Sequence, residues 1–388
     1  MWSKLAAFVE GNPLVRLEAG RLQVADGATF VFGGDAVDRG PHSRRIIKTL
    51  LEAKRRQSTQ VLLLAGNRDL NKLRLRRELT GHPPQKMPAE IRSQAPAERL
   101  KWIFSNTMGA AMAFEHRRTE LGQEGRGASD EEVVESFLED VREGGDHCEY
   151  LARCQLGLRI KKTLFVHGGV TPENFLAVPG QSRARDTDEW VALLNDWYRV
   201  QLDAVRADAL DSHSWTQLMA YQGPLPGTRL NQTSVVYGRC ADALNNPLLP
   251  PLAVREQLQS DGVARLVVGH TPNGDSPSIL RAEGFEQLVA DNSHARVSEG
   301  AKCLFDDDET SIDAHTELDD GTRHRVQFVV GLDERTPIGR RIRSSGELIK
   351  GRLSSGELLL FRYLPMFKCT QRAVGERALG SEELEAPE

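Results

Sequence analysis

Four short apolar runs in this chain each stop at a residue that can bind a metal ion. Ala28-Thr29-Phe30-Val31-Phe32 leads into GGDAVDRG, Gly33 to Gly40, which holds Asp35, Asp38 and Arg39. Gln60 to Ala65 leads into GNRD, with Asn67 and Arg68. Thr163-Leu164-Phe165 leads into VHGG, with His167, and Ala264 to Val267 leads into VGHTP, with His270. A carboxylate, an amide carbonyl and two imidazoles make a mixed oxygen and nitrogen donor set of the kind that suits a divalent transition metal. Arg39 adds a planar cation whose fork matches two phosphate oxygens. Hydrolysis of a phosphate ester needs such parts. Two metals about 3.5–4 Å apart lower the pKa of a bridging water and clamp the phosphate oxygens, and a cation offsets charge developing in the transition state. Each residue alone has a plainer reading. Asp35 can cap a helix, Asn67 can serve a turn, either histidine can be structural, and Arg239 in VVYGRC can be a surface arginine beside a strand. Four such junctions in one chain argue for the metal reading.

The elements that must position these residues are short. Strands are predicted to end at Gly33, Gly66, Val166 and Val268, with a fifth, Leu288-Val289-Ala290, before Asp291. Aliphatic runs of this length, apolar on both faces, suit a sheet covered by other layers, and ligands gather where such strands end. Leu5 to Glu10 reads as a short amphipathic helix. Between Asn71 and Lys161 the pattern is mostly helical, with Glu98 to Leu121 and Asp130 to Arg142 the clearest stretches and His82 to Pro96 an irregular, proline-rich linker. A second helical stretch runs from Asp186 to Tyr221. Lys72, Arg74, Arg76 and Arg77 follow GNRD and read either as an anion grip or as a solvated helix face. From Arg323 onward strands return, and SSGELI (Ser344 to Ile349) is echoed by SSGELL (Ser354 to Leu359), as in a hairpin. The expected organisation is a catalytic domain over 1–300, with helical inserts at about 71–160 and 175–260, then a β-rich extension over 301–388 with a disordered tail from Ser381.

Composition excludes several classes. A net charge of -5 does not suit a nucleic-acid-coating protein. No apolar run approaches the ~18 residues of a membrane span. The five cysteines are scattered without a CxxC pair, which argues against a structural zinc site or a disulfide framework. A cytoplasmic location is the expectation.

The motifs resemble those of the calcineurin-like metallophosphoesterase superfamily. GGDAVDRG matches the GDxxDRG signature of its phosphoprotein phosphatase branch, which includes Ser/Thr phosphatases and is shared with bacterial diadenosine tetraphosphatases. GNRD resembles GNH(D/E), and VHGG and GHTP resemble the two histidine motifs. The resemblance extends from about Leu5 to Asp291. It implies an α/β fold of two β-sheets flanked by helices, and two divalent metals (Mn, Fe, Zn, Co or Ni). By resemblance Asp35 bridges both metals, and Asn67, His167 and His270 complete the second. Asp38 resembles the family's acid behind the ligands, Arg39 its phosphate-gripping arginine, and Arg239 a second one. The implied activity is phosphomonoester hydrolysis by a metal-activated hydroxide on a phosphoprotein or small phosphoester.

Two departures stand out. The family's GNH histidine, the proton donor, is replaced by Arg68, which cannot donate a proton near neutral pH. No DxH motif precedes Asp35. Trp2 to Glu10 resembles the helix that follows that motif, so the first-metal site is expected to be incomplete and Met1 to be a mis-assigned or truncated start. The alternatives are a dinucleoside polyphosphate hydrolase and a non-catalytic phospho-binding pseudophosphatase.

Overall fold

The strands expected at the four motif junctions are all present in the computed structural model, which describes residues 2–207, 213–292, 295–380 and 382–388. The architecture is mixed α/β, with several sheets flanked by helices. The chain divides into two compact units. One comprises Met1–Trp2, Pro13–Leu156 and Asn195–Asn231, the other Ser3–Asn12, Gly157–Leu194 and Gln232–Glu388.

In the first unit β1 (Val15–Glu18) and β2 (Arg21–Val24) form an antiparallel hairpin that the apolar pattern did not announce. β3 (Phe30–Phe32) pairs in parallel with β4 (Val61–Leu63), with Phe30 opposite Val61 and Phe32 opposite Leu63. The amphipathic helix Ser43–Arg56 makes the crossover, burying Ile46, Ile47, Leu50 and Leu51. The following helices enclose their own core, in which Leu100, Phe104, Phe114, Leu121 and Val133 are buried. The helix expected over Glu98 to Leu121 is two, Pro96–Thr107 and Ala113–Gln123. Gly109 between them has φ +58°, the left-handed geometry that ends a helix. The linker at His82 to Pro96 holds one short helix, Ala89–Arg92. The stretch Asp186 to Tyr221 contains the helices Thr187–Arg206 and His213–Tyr221, and 208–212 lie outside the described residues.

The second unit carries three sheets. The strands β5 (Gly157–Ile160), β6 (Thr163–Val166), β7 (Arg265–Val268), β8 (Ser278–Ala282) and β9 (Phe285–Val289) form one, in the order β5-β6-β7-β9-β8. Within it β6, β7 and β9 run parallel. β10 (Lys302–Phe305), β11 (Glu309–Glu317) and β12 (Arg323–Gly331) make an antiparallel meander. β13 (Arg341–Ile342), β14 (Leu348–Arg352), β15 (Leu358–Tyr363), β16 (Cys369–Val374) and β17 (Leu384–Glu385) make the last sheet, in the order β16-β15-β14-β13-β17. Ile279, Leu288, Ile312, Val326, Ile349 and Leu359, drawn from all three sheets, share one core.

Each SSGEL copy supplies a turn rather than one arm of a single hairpin. Gly346 (φ +69°) lies between β13 and β14, and Gly356 (φ +91°) between β14 and β15. The tail expected to be disordered is paired: Ile342 sits opposite Leu384, Leu249 N–H donates to Pro387 O at 2.7 Å, and Arg255 bonds Glu388. Among the described residues no helix is long and apolar enough to cross a membrane.

Candidate functional site

Parallel pairing of β3 and β4 sends the Asp35 and Asn67 loops out of the same end of one sheet. A residue that sequence reading passed over joins them. The buried Asp69 carboxylate accepts the backbone N–H groups of Asp35 (2.8 Å), Ala36 (2.8 Å) and Gly66 (3.0 Å). The last bond is made by the acid at the third helical position, which reaches back to the residue that caps its helix, Asn67–Asn71. The first two hold the neighbouring loop against that helix start. The acid at the end of GNRD was the available signal. The helix that follows GGDAVDRG is fixed from outside its own sequence: Glu120 accepts the N–H groups of Arg44 (3.2 Å) and Arg45 (3.0 Å) in its first turn.

Asp35 and Asp38 both have left-handed backbones, φ +56° and +74°. Such geometry in non-glycine residues is strained and persists where the surroundings over-determine it. Asp35 Oδ1 accepts Arg68 N–H at 2.9 Å, and Arg68 Nε lies 3.6 Å from Asp35 Oδ2. The Asp38 side chain is buried, with Oδ2 2.6 Å from Lys72 Nζ and 3.5 Å from an Arg68 terminal nitrogen. Lys72 also donates to Asn71 Oδ1 at 2.7 Å. Burial pulls the Lys72 amine below its ordinary pKa, and Asp38 opposes the shift. Arg39 is partly buried beside Asp38.

The basic run after GNRD is neither an anion grip nor a solvated face. Lys72 is committed to Asp38, Arg74 bonds Glu78 at 2.8 Å, Arg76 bonds Val205 O at 3.2 Å, and Arg77 lies 4.6 Å over the Trp215 ring. Asp38 comes from the GGDAVDRG loop and Glu78 from the next turn of the same helix, while Val205 and Trp215 come from the distant helices Thr187–Arg206 and His213–Tyr221. Beneath Asp69, the buried His147 donates from Nε2 to Asp69 O at 2.7 Å, and burial pushes its imidazole down to about 4.

In the second unit the parallel pair β6 and β7 plays the corresponding part. His167 and His270 leave the same end, tied by Gly269 N–H donating to His167 O at 2.8 Å. Their ring centroids are 5.5 Å apart with the planes at 64°. His270 has φ +61°, and the Tyr237 ring packs 5.0 Å from its imidazole. The glycines of VHGG are required by the segment laid on them. Gly168 N–H donates to Val235 O and Gly169 N–H to Gly238 O. A Cβ at Gly168 would lie 2.8 Å from Val235 O, and one at Gly169 2.9 Å from Cys240 N.

Arg239 rides on this segment in irregular backbone two residues past a turn. It is partly buried, its backbone bracketed by the Gln232 amide at 2.8 and 3.0 Å. Burial lowers its pKa, with Tyr237 and Asp291 opposing. The four residues expected to bind metal thus come as two pairs, Asp35 with Asn67 in one unit and His167 with His270 in the other. Among the described residues no group of three or more His, Cys, Asp and Glu side chains is gathered into a cation site.

A family profile described as calcineurin-like phosphoesterase matches residues 14–274. No curated protein matches the chain. Among solved structures, one described as a cold-active protein tyrosine phosphatase aligns at 15% identity with a TM-score of 0.43, covering 84% of this chain and 75% of its own.

Proposed function

Because the chain belongs to the calcineurin-like phosphoesterase family, we propose that it hydrolyses phosphomonoesters with two divalent metal ions, in the manner of the phosphoprotein phosphatase branch whose GDxxDRG signature it carries. The observation that carries this reading is the imidazole pair. A metal–nitrogen distance of about 2.0–2.1 Å at tetrahedral to trigonal angles puts two ligating rings roughly 5–6 Å apart, centroid to centroid. The spacing of His167 and His270 fits. We assign Asp35 and Asn67 as the oxygen ligands. When bound, the metals supply a water of lowered pKa and neutralise charge on the phosphate.

The chain's own groups do the rest. Arg39 grips two phosphate oxygens through its fork, and Arg239 adds a second cation whose burial strengthens its field. Asp38, clamped by Lys72, orients Arg68. Arg68 cannot protonate a leaving group, so its place against Asp35 and Asp38 makes its role electrostatic. Esters whose leaving group needs no acid, such as aryl phosphates, are then favoured over alkyl ones. The inserts at 71–160 and 175–260 select the substrate.

A second reading, a phospho-binding module without turnover, is favoured by one observation. A guanidinium rests against Asp35, the carboxylate assigned to bridge the metals. The deciding experiment measures metal content and hydrolysis of aryl and alkyl phosphates with Mn, Fe, Zn, Co or Ni, for the chain and for His270→Ala. Metal-dependent aryl phosphate turnover that His270→Ala abolishes supports the enzyme. Stoichiometric binding of a phosphopeptide without turnover in any metal replaces it with the binding module. Cleavage confined to a dinucleoside polyphosphate would transfer the reading to that substrate class.

A further inference from the structure

The loop after His270 is held from the C-terminal sheet by one residue from each of three adjacent strands. From β14, Lys350 donates through Nζ to Asn273 O. From β15, Tyr363 donates through Oη to Pro272 O at 3.0 Å and accepts Gly274 N–H at 3.3 Å. From β16, Gln371 donates through Nε2 to Asp275 Oδ2 at 2.6 Å. Lys350, Gln371, Asn273, Asp275 and Tyr363 are all buried. The packing leaves no slack. Gly274 has φ +70°, and a Cβ there would lie 2.8 Å from the Phe361 ring, 3.0 Å from Gln371 Oε1 and 3.1 Å from Lys350 Nζ. On its other side, Asn273 N–H donates to Asp291 O at 2.9 Å.

Burying an amine is costly unless its bonds matter. Lys350 has no exposure, its Nζ lies 4.4 Å over the Phe361 ring, and the hydrogen bond it makes goes to a loop carbonyl. At the start of the same loop His270 carries its strained backbone, φ +61°. Strain of that kind survives where neighbours over-determine the conformation, and the contacts from β14, β15 and β16 provide this.

We propose that Lys350, Tyr363 and Gln371 are positioning residues for His270: the C-terminal sheet holds the 270–275 loop in the conformation that presents the imidazole to a metal. This rests on the reading of His270 as a ligand. It gives the extension beyond the family match a defined task.

The test uses the full chain and Zn2+ alone, with affinity read by competition against a chromophoric chelator. Amide hydrogen exchange of 269–275 and Tm are measured alongside. Lys350→Met and Tyr363→Phe should each weaken Zn2+ binding by about 10-fold or more, the scale for removing a group that orients a ligand, and should speed exchange in 269–275. Leu359→Ala, which empties part of the same sheet's core, should lower Tm and leave Zn2+ affinity unchanged. If Lys350→Met does not fold, Tyr363→Phe, which loses a single hydroxyl, decides. Normal Zn2+ affinity in the two loop variants, with binding lost in His270→Ala, overturns the positioning role and leaves the ligand assignment standing. An equal loss in Leu359→Ala overturns it too, by showing general destabilisation. Unchanged affinity in His270→Ala removes the ligand assignment, and the positioning role falls with it.

Discussion

Replacing Asp69 by Asn removes one charge and one acceptor oxygen from the centre of the first unit's motif loops. The buried carboxylate takes three backbone N–H groups, two on Oδ2 (Asp35 and Gly66) and one on Oδ1 (Ala36). An amide oxygen in the Oδ2 position keeps the first two and turns its NH2 toward Ala36 N–H, donor against donor. The loss is one charge-assisted bond, about 1.5–3 kcal/mol, plus a buried N–H left unmade, about 1–3 kcal/mol. Together these come to roughly 2.5–6 kcal/mol of local stability. Because a loop rather than a hydrophobic core is lost, the sensitive assay is native-state hydrogen exchange at residues 35, 36 and 66, with urea unfolding beside it. Protection at Ala36 should fall most. A destabilisation below about 1 kcal/mol, with all three amides protected as before, would refute the claim that Asp69 holds the two loops together.

Three further outcomes are expected. Lys72→Met removes the nearer of the buried Asp38 carboxylate's two cations and leaves Arg68 at 3.5 Å; it should cost about 2–4 kcal/mol, while Asp38→Asn combined with Lys72→Met should recover most of that in denaturant unfolding. Gly168→Ala drives a Cβ against Val235 O, and a loss of about 1–3 kcal/mol should appear as a lowered Tm. His147 is held near 4 in the folded state against an ordinary 6.5, so between these values the unfolded chain binds more protons and stability falls as pH drops. The full effect is about 3 kcal/mol. It is absent above pH 6.5 and complete near pH 4, and His147→Gln should flatten the unfolding midpoint across that window.

The strand ends were legible because their signals are local. Apolar runs that stop at glycine or histidine mark β3, β4, β6 and β7, and parallel pairing then follows from the helical stretches between them. The β1–β2 hairpin escaped because its strands alternate polar and apolar residues over only four positions each. The basic run after GNRD was misread because charge in a sequence suggests solvent. Asp38, Glu78, Val205 and Trp215 take up those cations from up to 138 residues away.

By itself the sequence determined which donor atoms exist and where the chain must turn. Asp35, Asn67, His167 and His270 follow short strands, and Gly346 and Gly356 lie in two of the turns of the last sheet. These depend on backbone and side-chain chemistry within a few residues. Tertiary structure alone decided which polar groups are buried and what they hold: Asp69 under two loops, Lys72 on Asp38, Lys350 under the loop that bears His270. Lys350 and Asn273 are 77 positions apart. Their hydrogen bond has no local signature, because it arises only when packing removes water from both groups and leaves each the other's best partner.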